Sequence, residues 1–166
     1  MSLIASFHLI PAALVESLLD AAQAQQAAFE RKRWGLFRTW KPTDPDPFWD
    51  FLRSHGRELE EMDYSGIALV YLEMLVPGLL ASSHPLGQRL SGKDASFVSF
   101  APDSATRALD LLARADLSRA AIEAVLVDDE RDDVPEFADT VEDCARVMTK
   151  WLAQVREGQV GLLHNG

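Results

Sequence analysis

The sequence predicts an α+β fold, a small sheet that includes N- and C-terminal strands and packs against several amphipathic helices. Three observations predict it. A short, largely apolar segment stands at each end, at 3–10 and at 159–163. Between them, apolar residues recur at helical spacing in several segments separated by proline and glycine. Residues 95–101 alternate instead, with Phe97 and Ser99 opposite Val98 and Phe100, and read as a further strand.

The elements follow in order. Residues 3–10 carry no breaker, so Leu3, Ala5, Phe7 and Leu9 share one face and Ile4, Ser6, His8 and Ile10 the other. Pro11 suits the first turn of a helix, and Leu14, Val15, Leu18, Leu19 and Ala22 continue it toward Phe29. Prolines 42, 45 and 47 stop regular structure. Asp46-Pro47 then reads as an N-cap and first helical position, for a helix reaching about residue 61. Residues 67–75 form an apolar helix rather than a strand, because Leu, Met and Glu outnumber β-branched residues, and Pro77-Gly78 ends it. Residues 80–93 read as a loop. Pro102-Asp103 opens a helix with Ala105, Leu109 and Leu112 inward, and Asp116 caps another over 117–127. A closing helix begins at the capping-box-like Thr140-Val-Glu-Asp143, with Gly158 as its C-terminal glycine.

The chain of 166 residues is read as a single domain, 1–166, with 48% hydrophobic and 25% charged residues. The single cysteine, Cys144, excludes an intramolecular disulfide framework. No window approaches a membrane span, and no basic start precedes a long apolar run, so a cytoplasmic location is expected.

The net charge of −10 is concentrated. Residues 128–143 hold nine acids and one base, Arg131. The opposite pole, 31–41, holds Arg31, Lys32, Arg33, Arg38 and Lys41 and no acid. An acidic protein repels a phosphate backbone, so nucleic acid is not the expected partner; the basic run reads instead as a helix end whose cations offset its dipole and can face the acidic segment of the same molecule. Around the basic pole lie Trp34, Phe37, Trp40, Phe48, Trp49 and Phe51, six of the chain's fourteen aromatics. Such rings beside a proline-rich bend serve either as core or as a binding platform, with Trp34, Arg38, Trp40 and Trp49 as its residues. Core is the stronger expectation of the two.

Four segments resemble the YfbM-like family of small bacterial proteins of unknown function. They are the opening Met1-Ser-Leu-Ile-Ala-Ser-Phe-His-Leu-Ile-Pro11, the loop His84-Pro-Leu-Gly-Gln-Arg-Leu-Ser-Gly92, the strand-to-helix unit Ser96-Phe-Val-Ser-Phe-Ala-Pro-Asp103, and the stretch from Cys144 to Leu163. The resemblance implies an α+β fold and a bacterial cytoplasmic protein, with no activity attached. It departs at Asp63-Tyr-Ser-Gly66, where the family tends to carry a tryptophan. Trp34, Trp40 or Trp49 is expected to fill that volume.

The search for chemistry is mostly exclusion. His8, His55, His84 and His164 show no metal-ligand spacing, and no phosphate-cradling glycine loop or nucleophile elbow is present, so no metal or cofactor is expected. A site shared by His8 and His164 is conceivable if the end strands pair. An EF-hand loop from Asp128 would need glycine where Asp133 stands and glutamate where Asp139 stands; a solvated loop is expected there. Cys144 lies on an apolar stripe beside acids, a setting for packing rather than thiolate chemistry. His84 and Ser83, with Arg89 nearby, form the weak catalytic or ligand-binding set of the 82–92 loop. These exclusions point to a non-catalytic interaction protein, acidic and antitoxin- or immunity-like by analogy, binding a protein partner or itself. The alternative is a small-ligand binder or hydrolase-type enzyme with a pocket near 82–92.

Overall fold

The computed structural model describes residues 4–33, 46–59, 62–81, 85–90 and 96–165, with the side chains at 4, 29, 31–33, 62–65 and 96 set aside. It bears out the α+β expectation. Five strands, β1 (Ile4–Pro11), β2 (Arg57–Glu58), β3 (Met62–Ser65), β4 (Ser96–Phe100) and β5 (Gln159–Asn165), form one antiparallel sheet in the order β2-β1-β5-β4. β3 lies against β1 as well, pairing Ala5 with Met62 beyond the Leu9–Arg57 and His8–Glu58 pairs of β2.

The termini therefore lie side by side at the centre of the sheet. Phe7 pairs with Leu163 and Ser6 with His164, and β5 in turn pairs Leu163 with Val98. Neither end strand could bury both faces alone. Together they present two apolar faces, each covered by helices.

On one face, Ala5, Phe7, Leu9, Phe100 and Leu163 pack with α3 (Ile67–Leu75), α5 (Pro102–Arg114), α6 (Arg119–Asp128) and α7 (Val134–Leu152). Phe7 stacks between Trp151 at 5.4 Å and Phe100 at 6.1 Å. Gly161 makes that possible, because a Cβ there would sit 2.5 Å from Phe7 Cζ. On the other face, Ile10, Phe97, Val160 and Leu162 pack with α1 (Val15–Arg33), α2 (Pro47–His55) and α4 (Pro85–Leu90). The result is helix, sheet, helix in three layers.

Several boundaries differ from the pattern-based expectation. Pro11 closes β1, and a short 3-10 turn, Ala12–Leu14, leads into α1, which runs on to Arg33. The helix expected to reach residue 61 stops at His55. Gly56 leaves the helix in extended conformation, and the next residues add two strands to the edge of β1. That edge offers unpaired backbone groups that outweigh local helix propensity. The 80–93 loop contains a helix, α4, whose Leu86 and Gly87 are buried. Ser118, not Asp116, caps α6, its side chain accepting from Ala121 N–H, while Asp116 accepts from Ser118 N–H. α7 begins at Val134, before Thr140, because Pro135 occupies its first turn. Much of the acidic segment is thus helix surface rather than loop. The C-terminal glycine role expected of Gly158 also fails, since α7 ends at Leu152 and Gly158 instead turns the chain into β5.

Asn165 stands beside Gly66; Trp34 and Trp40, two of the tryptophans expected there, lie outside the described residues. A Cβ on Gly66 would lie 1.5 Å from Asn165 Oδ1. Trp49 lies elsewhere, on the face of α1 and α2.

Candidate functional site

Two places gather polar side chains, one inside the sheet and one on its helical surface. Inside, the alternation of β1 and β5 puts Ser6, His8 and His164 on the face that α2 covers. Ser6 stands opposite His164, and His8 opposite Leu162, so the two imidazoles are diagonal neighbours. Trp49 of α2 covers both, with ring centroids 6.2 Å from His8 and 4.9 Å from His164. Phe97 flanks His164 at 4.8 Å. Burial first, and the neighbouring His8 second, push His164 down to about 4. It is therefore neutral at neutral pH.

The sequence-level pairing of His8 with His164 is thus realised. Ser6, His8 and Glu58 do not by themselves line up as a hydrolase relay. Ser6 Oγ lies 3.3 Å from His8 Nε2, and Glu58 Oε1 lies 3.9 Å from that same nitrogen. A relay needs hydroxyl and acid on opposite ring nitrogens, so that the base is oriented while it takes the proton. Here both groups share one.

The aromatic segment divides. Phe48 is buried and meets Phe97 edge-on at 5.5 Å, while Trp49 and Phe51 pack partly buried against the same core. Its described end is therefore core and cover. Trp34, Arg38 and Trp40 lie outside the described residues.

Ser83 and His84 also lie outside them. Arg89, the remaining member of that set, reaches across to Glu16 of α1, Nη1 to Oε1 at 3.2 Å, in an exposed ion pair. Just before it, Gly87 brings α4 onto the backbone of β4. A Cβ there would stand 2.8 Å from Phe97 O, and Gly87 N–H donates to Ser99 Oγ at 2.9 Å. This segment is a packed helix laid on the sheet. Cys144 is buried, and its burial together with Asp143 pushes the thiol up to about 12. No cluster of three or more metal-ligating side chains occurs among the described residues.

The second place is the corner between α6 and α7. Arg119 holds it from one side, donating to Glu123 at 2.7 Å, to Asp139, to Glu142 at 3.3 Å and to the Pro135 carbonyl at 2.5 Å. Those acceptors raise its already high pKa further, the Glu123 bond most. Arg131 holds the other side. Its guanidinium lies 3.7 Å over the Phe137 ring and pairs with Asp133 at 2.7 Å, which keeps that carboxyl below the usual range. Both cations are thus committed to acceptors within the corner itself. Asp128, Glu130, Asp132 and Glu136 remain exposed, and no ion pair reaches them among the described residues.

Periodicity alone could not show this division of labour. It found the acids but not which of them the two arginines neutralise.

The sequence matches no family model, no curated protein and no solved structure. The described residues contain no helix long and apolar enough to cross a membrane.

Proposed function

We propose that this chain is a non-catalytic binding protein that recognises a cationic protein partner through the corner of α6 and α7. The observation that supports the reading is the commitment of Arg119 and Arg131 to acceptors within the corner, which leaves four exposed carboxylates without an ion pair among the described residues. Surface acids left this way repel one another and are relieved by an external cation. Uncompensated acidic faces of this kind suit proteins that neutralise a basic partner, as antitoxins and immunity proteins do; that comparison is by analogy. The YfbM-like resemblance is compatible with it, since that family brings no activity. A cytoplasmic setting goes with the single buried thiol.

Affinity capture from a bacterial extract tests the reading. Wild type and the Asp128→Lys/Asp132→Lys variant are compared at about 20 mM and about 300 mM salt, on either side of strong screening. Basic proteins retained by wild type at low salt, and lost in the variant and at high salt, are the expected result. The same proteins held equally by both chains would contradict it.

A further inference from the structure

The helix α3 leaves part of its surface apolar and uncovered. Val70 is 55% exposed, Met74 51% and Ile67 37%. These positions, i, i+3 and i+7, line one side of the helix over two turns, about 10 Å. The next stripe points inward. Tyr71 is buried, its hydroxyl donates to Asp129, and its ring meets Phe137 at 5.4 Å. Those contacts set the acidic corner against the flank of α3. Val127, 63% exposed, immediately precedes Asp128 at that corner.

Exposed aliphatic side chains and carboxylates that form no ion pair among the described residues therefore share one neighbourhood. We propose that it docks an amphipathic cationic helix of a partner protein. Leucine-class side chains of that helix, at i, i+3 or i+4 and i+7, pack on Ile67, Val70 and Met74, and its Lys and Arg residues meet Asp128, Glu130 and Asp132. The inference rests on the binding-protein reading above and adds the apolar half of the epitope.

Charge selects this occupant. A second copy docking by this same face would bring the same carboxylates to the contact, in a chain of net charge −10, and a nucleic acid carries the same sign. Shape selects the helix. This side of the molecule is built of helices, with a two-turn ridge available and the sheet buried beneath it.

A labelled synthetic peptide of about 18 residues, long enough for a stable docked helix, with Leu and Lys at helical period, is titrated with the purified protein and read by fluorescence anisotropy. A Leu/Glu peptide is the control. Wild type is expected to bind the Leu/Lys peptide at low salt and not the Leu/Glu peptide. Val70→Ser/Met74→Ser and Asp128→Asn/Asp132→Asn should each weaken binding by about fivefold or more. Asp20→Asn/Asp110→Asn, which removes the same charge from exposed positions on α1 and α5, should change it far less. Circular dichroism verifies that every variant is folded.

Unchanged affinity in Val70→Ser/Met74→Ser, with loss in Asp128→Asn/Asp132→Asn, would overturn the amphipathic docking and leave the acidic-surface reading standing. Equal losses in the two Asp-to-Asn variants would overturn both, as would failure of wild type to bind. A wild-type dimer in sedimentation that Val70→Ser/Met74→Ser splits would also overturn the docking, because a second copy would then cover α3.

Discussion

The Trp49 indole stands edge-on to the His164 imidazole, ring centroids 4.9 Å apart and planes 73° from parallel. The two residues come from α2, which follows a proline-rich sequence, and from the last strand. Their contact closes the polar centre of the sheet, where His8 and His164 meet under one aromatic cover.

That cover makes stability depend on pH. His164 in the folded chain titrates near 4, against an ordinary value of 6.5. Above about pH 6.5 both folded and unfolded states hold it neutral, and its environment costs nothing. As pH falls toward 4 the unfolded chain takes the proton first, so stability is lost progressively across that window, by about 2–3 kcal/mol in all. Urea unfolding of wild type and His164→Phe at pH 7 and pH 4.5 checks this. The variant should lose less on acidification, and an identical loss in both chains would refute the assignment.

Gly87 should be the least replaceable residue of α4. An added methyl meets backbone, Phe97 O at 2.8 Å and Ser99 N at 2.9 Å, and no side-chain rotation relieves that. Gly87→Ala is expected to destabilise by about 1–3 kcal/mol through overpacking. Ser99→Ala, which removes the acceptor of the Gly87 N–H without adding bulk, should cost about 1 kcal/mol. Thermal melts of both variants would show whether the order holds.

Trp151 carries the other face of the sheet. It is 1% exposed and stacks on Phe7 at 5.4 Å. Trp151→Ala should cost about 3–5 kcal/mol, enough to unfold a domain of ordinary stability. Trp151→Phe retains a ring against Phe7 and should cost clearly less. Denaturant midpoints at unchanged slope provide the measure.

Cys144 should be silent. With its thiol pushed up to about 12 and 1% exposed, it should not react with a thiol-specific disulfide reagent in the native protein at pH 8. It should react fully once denatured. Rapid labelling of the native chain would mean that α7 opens locally far more often than its packing implies.

The elements whose own side chains repeat with one period were legible. β1, α3 and α5 emerge from the sequence nearly to the residue, because strand alternation and helical spacing are local and burial follows them. The β2 and β3 segments were not. Nothing in 57–65 alternates strongly, and 57–58 and 62–65 become strand because the edge of β1 leaves backbone groups to be paired. The start of α7 was hidden in a run of acids, which read as a solvated loop until Pro135 and the Arg119 bonds are seen to organise it.

By itself the sequence determined that the chain mixes helices with a small sheet, that its charge is concentrated between 128 and 143, and that it holds no phosphate-cradling glycine loop and no metal-ligand histidine spacing. These properties are local in the chain, set by composition, period and spacing. Only the tertiary structure decided that His8 and His164 become neighbours, that Trp49 covers them, and that Arg119 and Arg131 engage acceptors at the corner of α6 and α7 and leave Asp128, Glu130 and Asp132 without an ion pair among the described residues. Those relations join residues far apart in the chain, and they exist only because burying both faces of one sheet brings the two ends of the chain together.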